Sequence, residues 1–343
     1  MTDPVLVTGV SGFIARHVAL ALLREGYAVR GTVRDAAKGE TVRKSLAAHN
    51  PKAADETRLS FAAADLTADA GWEEAVAGCA AVMHVASPFP MSQPRDRNAL
   101  TPAAKGGALR VISAALDAGI PRIVMTASMA TMMYRPGRPA EFKVAEDDWT
   151  DLGWSELSAY VVSKTEAERA AWAFVEERGQ KNRLTTIHPG FVLGPALDRE
   201  FGASIDVVRM FIEGAYPATP PAAYPVVDVR DVADLHVAAL KAPGTGGRRL
   251  IAAGGTMSLG EMAASIKRAA PDNSKKVPTA TMPAFAVRLL ANFDRNLAAV
   301  LPDIGARPAA QADYVTKLAG IRFRSPDEAV AATVNSLIKV GAV

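Results

Sequence analysis

Apolar residues follow two alternating rhythms through the first 190 positions. Short, mostly apolar runs recur as VLVTG (5–9), YAVRGTVR (27–34), LSFAAADL (59–66), AAVMHVAS (80–87), RIVMTAS (122–128) and RLTTIHPG (183–190). Runs of this length and composition read as strands buried in a parallel sheet. The segments between them carry apolar residues at helical spacing. In FIARHVALALLREG (13–26), Ile14, Val18, Ala21 and Leu22 share one face, and Gly26 supplies a terminator. This β-α alternation predicts an α/β fold: a doubly wound, Rossmann-type parallel sheet with helices on both faces and right-handed connections.

After Gly190 the rhythm changes. Prolines gather at 195, 217, 220, 221 and 225, and again at 278, 283, 302 and 308. Between them ASIDVVRMFIEG and PAFAVRLLANFDRNLAAVL have helical patterns, while YPVVDVRDVADLHVAALKA reads as a strand followed by a helix. The expected organisation is a sheet domain over residues 1–190 plus about 224–255. A smaller, mainly helical substrate-binding portion would span 191–223 and 256–343.

Composition narrows the function without choosing it. The chain has 343 residues, 49% hydrophobic and 22% charged, as in a soluble globular enzyme. The net charge of +3 is small and not concentrated in long runs, which argues against nucleic acid and suits a small anionic ligand. Cys79 is the single cysteine, so no disulfide forms within the chain and a reducing cytoplasm is expected. Five scattered histidines without a cysteine cluster argue against a zinc site. The opening MTDPVLVTGV lacks a basic stretch before its apolar run, so no signal peptide is expected; no apolar run reaches membrane-spanning length. The expected partner is a small molecule, and the expected assembly a monomer or homodimer.

Candidate chemistry sits where the strand-like runs end. Gly9 and Gly12 in VTGVSGFIA lie between the first strand and first helix, where glycine permits a tight turn and the helix offers free N–H groups to a phosphate. The spacing is G-x-x-G-x-x-A, not G-x-G-x-x-G, and a tight turn alone would also account for it. The second strand ends in TVRDAAKG. There Arg34 and Lys38 point to the 2′-phosphate of NADP, with Asp35 beside them as a potential ribose ligand. The sheet domain is therefore expected to bind NADP(H). Asp65 and Leu66, ending the third strand, would hold an adenine or cap the next helix. Val85, Ala86 and Ser87, ending the fourth, would line the cofactor, and His84 is expected to pack against protein.

AYVVSKTEAERAAW (159–172) has no helix breaker, so Tyr160 and Lys164, four apart, share one helical face. Ordinary amphipathic packing would produce this pair; so would an acid–base tyrosine whose anion the lysine favours. Ser128 closes the fifth strand at the same sheet edge. In the catalytic reading Tyr160 protonates a carbonyl oxygen, Ser128 holds that oxygen, and Lys164 lowers the tyrosine pKa and holds the cofactor ribose.

The ordered motifs TGVSGFIA, VRD, DL, HVASP, TAS, YVVSK, HPGFVLGP and VDVRDVA resemble those of extended short-chain dehydrogenases/reductases, down to GIRFRSPDEAV near the end. The likeness is strongest to the dihydroflavonol-reductase-like branch, and SKTEAERAAWAFV is most similar to its NADPH-dependent aldehyde and methylglyoxal reductases. That resemblance implies Ser128, Tyr160 and Lys164 as the catalytic triad. It assigns the pyrophosphate side to Gly9, Gly12 and Phe13, the 2′-phosphate to Arg34 and Lys38, and the adenine to Asp65 and Leu66, with Thr8, Ser11 and Ile14 as further cofactor-binding residues. Pro189 and Gly190 would lie beside the nicotinamide. Ala127 replaces a second serine found in many relatives, and His188 replaces an asparagine.

The expected activity is NADPH-dependent reduction of aldehydes or ketones, hydrophobic or aromatic, to alcohols. Candidate pocket residues are Phe89, Met129, Tyr134, Phe191, Met210 and Phe211, each equally at home in a core. Two alternatives stay open: an NAD-dependent nucleotide-sugar epimerase or dehydratase, and a non-catalytic NADP-binding regulator.

Overall fold

All six runs expected as strands form strands, and a seventh joins them. The computed structural model describes residues 3–88, 94 and 96–343. In sequence order the strands of the main sheet are Val5–Val7, Val29–Val33, Leu59–Ala63, Ala81–His84, Ile123–Thr126, Leu184–Pro189 and Arg249–Ala252. Numbered within that sheet they lie side by side as 3-2-1-4-5-6-7, and every pairing is parallel. This is the doubly wound order, whose chain reversal beside the first strand opens a crevice at the carboxyl ends of the strands.

Helices cover both faces. On one side Phe13–Arg24 packs with Val229–Lys241, burying Val18, Leu22, Val232 and Leu235 with the sheet's Val5 and Val7. On the other, Thr101–Asp117 packs with Ala159–Glu177 around Ala104, Ala108, Ala115, Ala167 and Ala171. Small residues at this contact let the two helix backbones approach closely.

Within residues 224–255, the helix Val229–Lys241 packs on the main sheet and the strand Arg249–Ala252 is that sheet's seventh. The strand that precedes this helix does otherwise. Ala223–Asp228 pairs in parallel with Phe191–Leu193 and antiparallel with Gly255–Ser258, forming a separate three-stranded sheet. Helices Ala203–Glu213, Leu259–Ala269 and Pro326–Lys339 cover that sheet and share a core with Val226 and Met257. Ser258 with Glu261, and Ser325 with Glu328, form capping boxes that start the last two of these helices.

The long helical pattern over 283–301 breaks in two, as Ala284–Leu290 and Arg295–Val300. Asp294 causes the break: its carboxylate accepts from the N–H groups of Asn296 and Leu297, starting a new helix instead of continuing the old one.

Candidate active site

The first βα turn is built to admit an anion. Gly9 has φ +60°, and a Cβ placed there would lie 2.8 Å from the Cβ of Ala86, so only glycine keeps the first strand's end against the fourth's. Thr8 stitches the same junction. Its hydroxyl accepts from the N–H of Ala86 at 3.0 Å and pairs with Nδ1 of His84 at 3.0 Å. The helix Phe13–Arg24 then starts at Gly12 without a side-chain cap and without an acid in its first turn. Uncapped N–H groups at an electropositive end suit a pyrophosphate. Ser11, Phe13 and Ile14 surround that helix start and are partly exposed, as are Val85, Ala86 and Ser87 across the crevice.

At the end of the second strand the structure separates two residues that sequence left ambiguous. Asp35 caps the helix Ala36–Ala47, accepting from the N–H of Ala37 at 2.9 Å. Arg34 and Lys38 are exposed, and Lys38 lines a shallow cleft with Ser11, Arg16, Thr41 and Glu200. Arg16 is not a second free cation there: its guanidinium is paired with Asp198 and, at 3.0 Å, with Glu200. Asp65 holds the hydroxyl of Thr67 at 2.7 Å and its N–H at 2.8 Å. These bonds hold its carboxyl below the usual range, with the Arg34 charge adding to the effect. Leu66 packs against Gly107, where a Cβ would come within 3.0 Å of its side chain.

Ser128, Tyr160 and Lys164 come from the helix Ala159–Glu177 and the segment after the fifth strand. Ser158 caps this helix at the N–H of Val161, and Tyr160, Lys164 and Glu168 follow at four-residue steps along one face. Ser128 lies two residues past the fifth strand and caps the short 3-10 turn Met129–Thr131. Its hydroxyl oxygen accepts from the N–H of Ala130 at 3.1 Å, which fixes the side chain, and it hydrogen-bonds the Tyr160 phenol. Burial raises the Tyr160 pKa, and the Ser128 bond opposes that rise. The expected depression of the tyrosine is therefore not what this protein environment produces: desolvation of the phenolate outweighs the neighbouring donor. Burial instead acts on the partner cation, pushing Lys164 down to about 8 against the attraction of Glu168.

His84, expected as a packing residue, is one. Burial, reinforced by the Lys164 charge, pushes it down to about 3, so it is neutral and serves only to hold Thr8. Pro189 ends the sixth strand, and Gly190 follows with its N–H bonded to the carbonyl of Ala252 at 3.0 Å. A Cβ on Gly190 would sit 2.2 Å from the carbonyl oxygen of Pro225, so glycine lets the small sheet meet the large one at this edge.

The pocket candidates divide. Phe191 and Met210 are partly exposed. Met129 is 1% exposed and Phe211 3%, Phe211 within the core of the small sheet and its helices. Phe89 lies outside the described residues. Tyr134 is buried but not in an apolar wall: its hydroxyl donates to Asp303 at 3.2 Å, and the Arg138 guanidinium stacks over its ring at 4.8 Å.

Two polar clusters escaped sequence reasoning. Glu168 binds His188 and Arg249 beneath the sheet, and Asp303 gathers Tyr134, Tyr224 and Arg138. Glu168 carried a signal, being one further helical step along the face of Tyr160 and Lys164. Asp303 carried none, since it lies more than 160 positions from Tyr134 and Arg138 in the chain.

A parallel sheet of this order, a glycine turn open to an anion and a Ser–Tyr–Lys group at one edge define a dinucleotide-binding enzyme of the short-chain dehydrogenase/reductase kind. The model of the NAD dependent epimerase/dehydratase family matches residues 5–254, and the chain belongs to that family. It is 35% identical over 252 residues to cinnamoyl-CoA reductase 1 of Arabidopsis thaliana, covering 72% of this chain and 70% of that protein. It is 33% identical over 302 residues to the ketoreductase azaE of Aspergillus niger, covering 82% of this chain and 87% of the relative. The structure of Gre2 from Candida albicans in complex with NADPH superposes with a TM-score of 0.79 at 26% identity, covering 98% of this chain and 99% of that one.

Proposed function

We propose that this protein is an NADPH-dependent carbonyl reductase that converts hydrophobic or aromatic aldehydes and ketones to alcohols. The observation that carries the reading is the meeting of Ser128, Tyr160 and Lys164 at the carboxyl edge of the sheet, beside a turn that admits a pyrophosphate. The relatives support the redox direction: one is named a ketoreductase and another a cinnamoyl-CoA reductase, and Gre2 is seen with NADPH.

The residues present fit the cofactor. Gly9, Gly12 and the uncapped helix start would hold its pyrophosphate, with Thr8, Ser11, Phe13 and Ile14 around it. Arg34 and Lys38 would hold the 2′-phosphate, and Lys164 the ribose. Asp65 and Leu66 would border the adenine, Val85 to Ser87 the middle of the cofactor, and Pro189 with Gly190 the nicotinamide. Bound NADPH supplies the hydride to the carbonyl carbon. Ser128 hydrogen-bonds the carbonyl oxygen and fixes its position. Tyr160 transfers its phenolic proton to that oxygen, so the product leaves as a neutral alcohol. The raised pKa of Tyr160 keeps it protonated at neutral pH, the form that reduction requires. The Lys164 ammonium then stabilises the phenolate until a proton from solvent restores the phenol. Residues 1–190 with about 224–255 would carry the cofactor, and 191–223 with 256–343 the substrate side.

The test is a panel of aldehydes and ketones assayed with NADPH and NADH side by side, with alcohol products resolved on a chiral column. NADPH-dependent turnover with a preference for apolar carbonyls supports the reading. NAD retained through purification, with turnover of a sugar nucleotide and no net NADPH oxidation, contradicts it in favour of an epimerase.

A further inference from the structure

The Asp303 cluster lies between the catalytic tyrosine and the small sheet, and the reaction above leaves it unused. Asp303 is 4% exposed and ends the short 3-10 turn Leu301–Asp303 in the C-terminal portion. Its Oδ2 accepts the Tyr134 hydroxyl at 3.2 Å, its Oδ1 faces the Arg138 guanidinium at 3.4 Å, and the Tyr224 phenol lies within hydrogen-bonding reach. Arg138 is itself boxed by the rings of Tyr134, Phe142 and Trp154, at 4.8, 4.9 and 5.3 Å. The backbone secures the arrangement: Ala222 bridges to Ile304, and the N–H of Gly305 donates to Pro221 at 2.7 Å.

This cluster borders the reaction site at two points. Tyr134 is close enough to Tyr160 for the Tyr160 charge to add to the rise in the Tyr134 pKa, which burial dominates. Tyr224 stacks on Phe191 with ring centroids 5.7 Å apart, and Phe191 directly follows Gly190. Tyr134 is buried, whereas Tyr224 keeps part of its surface exposed.

We propose that Tyr224, with its hydroxyl proton held by Asp303, is a specificity-determining residue that accepts a hydrogen bond from a hydroxyl group on the carbonyl substrate. The proposal rests on the carbonyl-reductase reading of the site. A phenol has one proton and two lone pairs. Burial raises the Asp303 pKa to about 6, which leaves the carboxyl mainly ionised at neutral pH and therefore an acceptor only. With its proton committed to that carboxylate, Tyr224 has lone pairs alone to offer a substrate group that reaches its oxygen. A substrate hydroxyl placed there finds a partner. An ether or methyl group finds none, and a carboxylate meets two acceptors and a like charge. The ring's stacking on Phe191 and the carboxylate behind it fix the oxygen's position, so the discrimination is one of geometry as well as polarity.

The experiment compares benzaldehydes bearing a hydroxyl or a methyl group at the ortho, meta or para position, reduced with NADPH at pH 7 by wild type, Tyr224→Phe and Asp303→Asn. Intrinsic reactivity cancels in the ratio of wild type to variant for each substrate. At one ring position Tyr224→Phe is expected to lose about tenfold in kcat/KM for the hydroxy compound, the scale of one hydrogen bond, with its methyl counterpart within twofold of wild type. Asp303→Asn is expected to lose the same preference while the Tyr224 oxygen remains, which a purely steric role for Tyr224 does not produce. Equal losses for hydroxy and methyl compounds, or no loss in either variant, overturn the proposal and leave carbonyl reduction standing. Absence of NADPH oxidation by wild type with every aldehyde overturns the carbonyl-reductase reading itself, and the proposal with it.

Discussion

Nε2 of His188 lies 2.8 Å from Oε1 of Glu168, and both side chains are wholly buried. The same carboxylate takes Nε of Arg249 at 2.8 Å and the indole N–H of Trp172 at 3.2 Å. Arg249 in turn lies 3.8 Å over the ring of Trp149. Burial alone would push the Glu168 carboxyl up; His188 and Arg249 outweigh it and hold the group ionised. The network joins the helix that carries Tyr160 and Lys164 to the sixth and seventh strands. Glu168→Gln strands the buried Arg249 charge and is expected to cost about 3–5 kcal/mol of stability, measured by urea unfolding. A loss under about 1 kcal/mol would mean the network is solvated.

Acid should unfold the protein through its buried histidines. Burial depresses His17 and His236 to about 4 and His84 to about 3. Their unfolded value is near 6.5. The folded value is the lower one, so their stabilising contribution is complete above about pH 6.5 and is lost as pH falls toward 4. Each histidine accounts for up to about 1.4 kcal/mol per pH unit in that window. Asp303, raised to about 6, acts in the opposite direction between about pH 6 and 4, one proton against three. Urea midpoints at pH 7 and pH 5 should therefore differ by at least about 2 kcal/mol in unfolding free energy, with the lower value at pH 5. Equal midpoints would show that these histidines can ionise in place.

Carbonyl reduction should weaken in mild alkali. Lys164 titrates near 8, while Tyr160 is raised and still holds its proton there. Loss of the ammonium removes the charge that stabilises the phenolate, so kcat/KM should fall with a midpoint near pH 8. A profile flat from pH 7 to 9.5 would remove Lys164 from that role.

Cofactor choice should rest on Arg34. The residue is exposed at the end of the second strand, and its neighbour Asp35 is committed to a helix cap. Arg34→Ala is expected to weaken NADPH binding by about 1.5–3 kcal/mol, the scale of a hydrogen bond to a charged group, and to leave NADH binding nearly unchanged. Titration of both cofactors by fluorescence or calorimetry gives the answer. Equal losses would make Arg34 structural.

Sequence made the main sheet legible because its first six strands are short, mostly apolar runs separated by segments of helical spacing. The seventh, Arg249–Ala252, escaped because it begins with a buried arginine whose partners lie far along the chain. Tyr160 and Lys164 were legible because helical spacing fixes which residues share a face. The sign of the tyrosine shift was not, since it depends on how much water reaches the phenol. Asp35 shows the same limit: a carboxylate ending a strand can bind a ribose or cap a helix, and only the path of the next turn decides. The pocket was least legible. Phe211 and Phe191 have the same side chain, yet one packs under three helices and the other stacks on Tyr224.

In the proposed reaction Tyr160 gives the proton that completes carbonyl reduction. The most direct test is kcat for Tyr160→Phe against wild type, with NADPH and one good carbonyl substrate at pH 7, alongside NADPH affinity. Loss of the phenolic proton with retention of the ring should lower kcat by about 100-fold or more and leave NADPH affinity within about twofold. Turnover near the wild-type rate would contradict the account and place the proton donor elsewhere.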